Sequence, residues 1–522
     1  MDTSTQFSRY LRFRSTLEDP FVELDLSHSA MAEADVETLR PDLAAALAAM
    51  RALEGGSVAN ADEQRQVGHF WLRAPGIAPD AEMGDAIRAA IDAVESFVAS
   101  VHSGAVAPPE GGSFQKVVLC GIGGSALGPM LLADALAKPG APMSLTVLDN
   151  TDPEGIDAAL GRLGSLEDAM VIVISKSGGT PETRNGMLEV QRAIEAQGLA
   201  FGPRAVAITT SGSKLDERAK SEGWLTTLPM WDWVGGRTSV TSAVGLLPGA
   251  LIGMDVRGFL AGAAAMDDAT RTEDVYRNPA AMLAAYWHHE SRGCGERAMV
   301  VLPYKDRLLL LARYLQQLVM ESLGKELDRK GERVHQGLAV YGNKGSTDQH
   351  AFVQQLRDGR HDFFVTFVRV LRDRDQGHFE VEPGVTTGDY LDGFWQGTRR
   401  ALRERDRSSA TICVDRIDAR VMGALVALFE RAVAIYAELI DTNAFHQPGV
   451  EAGKKAAAEV LALQARLLAA VTTAPKDVLA LAAEVGAEAA DCWPILLHLA
   501  VNRQDIHCAH REDPARAVFR RD

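Results

Sequence analysis

A chain of 522 residues is long enough for two or three domains, each with its own core. Its composition, 47% hydrophobic and 24% charged, is that of a globular protein, and 70 acidic against 54 basic side chains give a formal charge of −16. That balance excludes a general nucleic-acid binder, which needs a surplus of Lys and Arg. No run of apolar residues approaches the length of a membrane span, and residues 1–16 lack the apolar centre of a signal peptide. Cys120, Cys294, Cys413, Cys492 and Cys508 are scattered, odd in number and without CxxC pairing, which predicts a reduced, cytoplasmic protein with no structural zinc or other metal site.

Residues 1–105 read as a helical N-terminal segment, because 43–50 and 86–97 carry helix formers with apolar positions at helical spacing. Between them, residues 60–73 are dense in polar and aromatic side chains and read as an amphipathic packing segment. A Pro/Gly-rich stretch at 107–112 marks a boundary, after which strands and helix-length segments alternate. Apolar strands are expected at 117–120, 145–149, 171–174, 205–209 and 224–228, and this alternation predicts a parallel, doubly wound sheet over 106–290. A second alternating set begins at 298–302, continues with strands at 363–370 and 410–414, and has long helices at 307–325 and 419–440. Two similar α/β halves, 106–290 and 291–460, are therefore expected, although no residue-level repeat joins them. From about 461 to 522 the chain is rich in Ala and Leu, and its helix, turn, helix pattern at 474–502 fits a small helical or winged-helix extension.

The stretch 171–183 carries the strongest chemical signal. Four β-branched residues run without polar alternation into Ser175, Lys176, Ser177, Gly178, Gly179 and Thr180. Thr180 suits an N-cap and Pro181 the first helical position, so a helix N-terminus and several hydroxyls face one point, which attracts an anion such as phosphate. An ordinary strand-to-helix turn has the same residue types. Gly121-x-Gly123-x-x-Ala126 with Asp149 also fits a dinucleotide fingerprint, which would make the chain an oxidoreductase. Two Ser/Gly loops on adjoining strand units suit a compact phosphomonoester better. Arg237 follows two glycines, where backbone can approach a ligand closely. Gln317 and Glu321 lie four apart on an expected helix, and Glu321 lies four before Lys325, the spacing of a solvated ion pair.

In combination and order, these stretches resemble the phosphoglucose isomerase family, of the sugar-isomerase (SIS) fold class, from about residue 60 to 455. The Gly-Gly-Arg-x-Ser run at 235–239 and the Gln-x-Gly-Val-Glu-x-x-Lys run at 447–454 are the most specific segments. The resemblance implies two αβα sandwich domains and interconversion of glucose 6-phosphate and fructose 6-phosphate through an enediol, in glycolysis and gluconeogenesis, without metal or redox cofactor. It implies Glu321 as catalytic base, Arg237 as the cation for the enediolate, and His350 with Lys454 at ring opening. It further implies Gly124, Ser125, Ser175, Lys176, Ser177, Thr180, Gly236, Gln317 and Gln447 as substrate-binding residues, Lys176 through its backbone. A homodimer in which His350 acts across the subunit interface also follows from the resemblance. Thr238 and His446 depart from the residues common in the family. A sugar-phosphate-binding regulator would keep the 175–180 loop and lack the Glu321, His350 and Lys454 set.

Overall fold

The computed structural model describes residues 3–522, without the side chains of 3–5, 450–452 and 454. The chain divides into two compact units, Met1–His446 and Gln447–Asp522. Among the described residues no helix is long and apolar enough to cross a membrane.

The first unit holds two sheets. In the five-stranded sheet all neighbours are parallel: Ser144–Leu148 lies at one edge, followed by Lys116–Cys120, Ala169–Ile174, Ala205–Thr209 and Thr226–Pro229. Ala169–Ile174 is buried at every position, which is why it reads as a continuous apolar run: helices cover both faces of a doubly wound sheet. The order reverses between Lys116–Cys120 and Ala169–Ile174, and ligands of such sheets sit at that switch point, beyond the carboxyl ends of the strands.

The second sheet repeats the same permutation with its parallel strands. Val340–Tyr341 is at the edge, then Ala298–Pro303, Phe363–Val370 and Ser409–Val414. It is then extended by two antiparallel strands, Phe21–Asp25 and Arg14–Glu18, a hairpin from the N-terminal segment. That segment is thus only partly helical: Glu33–Glu54 and Ala81–His102 are the expected helices, and residues 14–25 complete the distant sheet. Ala419–Leu439 is apolar and buried almost throughout, and it crosses Val256–Ala269 so closely that a Cβ on Gly423 would meet the Phe259 carbonyl at 1.9 Å.

Residues 60–73 form turns and pack inward, as expected of a packing segment. Phe70, Trp71 and Leu72 are buried in the core, and the buried Arg73 guanidinium bonds the Asp267 carboxylate at 2.6 and 2.9 Å and also Glu430. An expected helix that differs is 307–325. It breaks into Asp306–Leu308, Leu311–Leu315 and a π-helical turn, Gln316–Glu321, and Lys325 begins a short strand, Lys325–Leu327.

The second unit packs Pro448–Ala470, Val478–Val485 and Ala489–Asn502 around Leu467, Leu481, Leu496 and Phe519. A three-stranded antiparallel sheet, Lys476–Asp477, Val518–Arg521 and Ile506–Ala509, completes it. The unit thus consists of three helices and a closing hairpin with one further short strand. Pro448–Ala470 is one continuous helix, so the composition change near 461 falls within a helix and not at a linker.

Candidate active site

Two loops leave the first sheet at its switch point. Lys116–Cys120 leads to Gly124–Leu136, whose N-cap is Gly123 at φ 56°, and Ala169–Ile174 leads to Pro181–Ala196, whose N-cap is Thr180. Neither helix has a side-chain cap. Each start therefore presents backbone N–H groups that the helix cannot satisfy, at the positive end of its dipole. In the second loop the Gly178 N–H donates to Ser175 Oγ (3.1 Å), the Gly179 N–H to Ser177 Oγ (3.2 Å), and Ser175 Oγ–H to Thr180 Oγ1 (3.3 Å). The Lys176 ammonium turns away to the carbonyls of Asp232 (2.9 Å) and Val234 (3.2 Å).

Those carbonyls belong to the segment that delivers Arg237. A Cβ on Gly124 would lie 1.9 Å from the Gly236 carbonyl oxygen, and one on Gly123 would lie 2.9 Å from Gln317 Nε2. Glycine at these positions is what lets the first loop, the Gly236–Thr238 turn and the π-helical turn meet; Ser125 lies in the first turn of the helix that follows. Gly124→Ala is expected to push the Gly236 carbonyl aside at a cost of about 1–3 kcal/mol or more. Thermal unfolding reads this as a lower midpoint, accompanied by weaker binding of an anionic ligand.

Arg237 is buried and held from two segments, 321–322 and 444–446. Its Nε donates to Ser322 Oγ (2.7 Å), one terminal nitrogen to Glu321 Oε2 (3.2 Å), and the other to the carbonyls of Ala444 (2.6 Å) and His446 (3.1 Å). The Glu321 side chain keeps 19% exposure, so its carboxylate is fixed by a cation on one side and open on the other. It sits at the end of a π-helical turn, a local distortion common at functional sites.

Lys325 is not a partner on a solvated helix face. It is 5% exposed, and its Nζ donates to the Glu321 carbonyl oxygen at 2.7 Å. Burial, with the Arg237 cation close by, pushes its ammonium down to about 7 from the ordinary 10.5, against the opposing pull of Glu321 and Asp62. Between these values the unfolded chain holds a proton that the folded chain has released, so this group makes stability rise with pH from about 7 to 10.5. Lys325→Met is expected to flatten the melting temperature against pH across that window. Parallel curves for the two proteins would contradict the assignment.

Residues that sequence reasoning did not assign close the site. Asn443 Nδ2 donates to Asp62 Oδ2 (2.5 Å) and Asn60 Oδ1 (3.0 Å), and His446 Nε2 lies 3.6 Å from Asp62 Oδ2. Burial lowers the His446 imidazole from its ordinary value. These pairs lie some 380 residues apart in the chain, so no local pattern announces them.

His350 ends the turn Thr347–His350, is exposed, and has no hydrogen bond or ion pair with Glu321 or Arg237 among the described residues. Gln447 is the N-cap of Pro448–Ala470 in the second unit, and the Lys454 side chain lies outside the described residues. Asp149, which a dinucleotide reading needs for a ribose, is ion-paired to Arg313 at 3.0 Å.

Helix N-termini for an anion, a carboxylate clamped by arginine and a parallel α/β frame define an enzyme-like crevice for an anionic substrate. The phosphoglucose isomerase family model matches residues 25–383 and 400–471. The chain is 56% identical over 487 residues to a glucose-6-phosphate isomerase of Geobacter sp. strain M21, covering 92% of each. It is 52% identical over 526 residues to one from Cyanothece sp. strain PCC 7425, covering 100% of this chain and 99% of that one. Among solved structures, a glucose-6-phosphate isomerase from Chlamydia trachomatis D/UW-3/Cx superposes with a TM-score of 0.79 at 25% identity, covering 88% of this chain and 91% of that one. The chain belongs to the phosphoglucose isomerase family.

Proposed function

We propose that this protein is a glucose-6-phosphate isomerase, interconverting D-glucose 6-phosphate and D-fructose 6-phosphate through a cis-enediol in glycolysis and gluconeogenesis. Identity above 50% along nearly the whole chain supports it, and the observation that carries it is the Arg237-held Glu321 carboxylate in the unit whose switch point gathers two uncapped helix N-termini.

On this reading the phosphate is held by Ser175, Ser177, Thr180 and the backbone of Lys176, with Ser125 and Gln447 completing the cradle. Gly124 and Gly236 let backbone approach the sugar, and Gln317 bonds its hydroxyls. Binding energy from the remote phosphate positions the reacting carbons. Glu321 takes the proton from C2 of the open-chain aldose and returns it to C1, which needs one base in reach of both carbons. The Arg237 guanidinium, fixed beforehand by Ser322 and two carbonyls, stabilises the charge that develops on the enediolate oxygens. His350 and Lys454 serve ring opening at the hemiacetal.

The reading includes a cytoplasmic homodimer in which His350 acts on the partner's substrate. Its exposure at the end of a turn supports this placement. Mixing inactive Glu321→Gln and His350→Ala subunits then builds one intact site per heterodimer, and activity returns to roughly a quarter of wild type after random exchange. A mixture that stays inactive would place His350 and Glu321 on the same subunit. The activity itself is tested by converting fructose 6-phosphate to glucose 6-phosphate with purified protein and chelator present. Turnover supports isomerisation without metal, and binding without turnover would favour a sugar-phosphate-binding regulator.

A further inference from the structure

One face of the second sheet is apolar along Phe363, Val365 and Phe367 but turns polar at its N-terminal-hairpin side. Glu23 and Asp25, Thr411 and Cys413, and Arg369 alternate along three neighbouring strands, paired Asp25 with Thr411, Glu23 with Cys413 and Arg369 with Cys413. Alternate residues share a face, so these five point to one side, while Val22, Leu24, Ile412 and Val414 supply the other. Two helices cover the polar side: Thr387–Arg403, with Trp395 and Arg399, and Thr3–Arg12, with Gln6 and Tyr10. They leave a cavity of about 420 Å³. Polar groups buried under helices need partners.

The carboxylates in this cavity have theirs. Glu23 accepts from Tyr10 Oη (2.8 Å) and Arg14 (3.2 Å), and Asp25 from the Ser27 N–H (2.8 Å) and Arg399 (3.3 Å). Arg369 Nε donates to Asp392 Oδ1 (2.6 Å), and its terminal nitrogens have no hydrogen-bond partner among the described residues. Trp395 Nε1 is buried with no partner among the described residues, and so is His28 Nδ1. The guanidinium groups of Arg369 and Arg399 lie over the Trp395 indole, at 4.4 and 4.3 Å. Arg9, beside the cavity, spends its donors on the carbonyls of Ser27, Ser29 and Met31 and neutralises no carboxylate through them. Burial chiefly, and then the Arg399, Arg403 and Arg9 cations, push the His28 imidazole down to about 3.

We propose that this cavity is a second anion-binding site, in which Arg369, Arg399 and the Trp395 N–H receive the carboxylate or phosphate of a small organic anion. It is built on the second sheet and shares no residue with the cradle at the switch point of the first.

Equilibrium dialysis of radiolabelled inorganic phosphate against the full-length protein, with fructose 6-phosphate saturating the cradle, tests this. One further phosphate per chain is expected. Trp395→Phe keeps a ring beneath both arginines and removes only the N–H, and is expected to weaken that binding about tenfold, the order of one hydrogen bond to a charged group. Arg399→Gln is expected to weaken it at least as much, and Trp395→Phe alone decides if that variant does not fold. Displacement of the label by millimolar acetate would identify the natural ligand as a carboxylic acid; resistance to acetate would identify it as a phosphate ester. Absence of the further phosphate, or affinity unchanged in Trp395→Phe, would overturn the proposal.

Discussion

Glu321→Gln is expected to lower turnover by about three orders of magnitude while leaving the fold intact, the loss typical of removing a positioned general base. The substitution changes one oxygen to an amide and keeps the side-chain shape. The amide oxygen can still accept from Arg237, as Oε2 does now at 3.2 Å, so the site keeps its geometry and loses only its proton acceptor. Near-ultraviolet circular dichroism should superpose on that of wild type, and the Michaelis constant should move far less than kcat, because the loops at 121–125 and 175–180, proposed to hold the phosphate, are untouched. A variant with near-normal turnover would remove Glu321 from the chemistry.

Arg237→Lys is expected to be nearly as damaging, and to differ in kind. A guanidinium here serves Ser322 Oγ, Glu321 Oε2 and the carbonyls of Ala444 and His446 at once. An ammonium is a compact point charge on a different stem and cannot reproduce that fork. Buried acceptors left without donors cost about 1–3 kcal/mol each, so the melting temperature should fall, unlike that of Glu321→Gln. Loss of a preorganised charge at the reacting oxygens should reduce kcat/KM by about 100- to 1,000-fold. The substitution keeps the charge and removes only the fork that fixes it, so a Lys variant as active as wild type would show that charge alone suffices.

The parallel core was legible because it is chemically extreme. Residues 171–174 are all β-branched and apolar, and they form the carboxyl-terminal part of a strand buried at every position, delivering the hydroxyl loop to the switch point. The N-terminal hairpin was not, since Arg14–Glu18 and Phe21–Asp25 sit in a polar stretch and Phe21–Asp25 pairs with a strand nearly 400 residues away. The break before Glu321 was also hidden: residues 308–323 keep helix-forming character throughout, and only Gly324 signals an end. Spacing alone therefore made Lys325 a solvated partner, whereas the chain turns into a strand there and buries it against the Glu321 carbonyl. The Asn60, Asp62, Asn443 and His446 cluster is tertiary in origin, and no sequence window contains it. In the C-terminal unit, the Asp477 cap on Ala480 N and the left-handed Gly486 mark the helix ends locally, which is why the helix, turn, helix pattern could be read in advance.

The central claim is that one carboxylate moves a proton between C2 and C1. It is tested most directly by running fructose 6-phosphate conversion in deuterated water and following the product by proton NMR. The account predicts glucose 6-phosphate carrying solvent deuterium at C2 in part of the product, formed by wild type and almost abolished in Glu321→Gln. Product formed at full rate with no deuterium at C2 would indicate direct hydride transfer between the carbons and contradict the enediol mechanism.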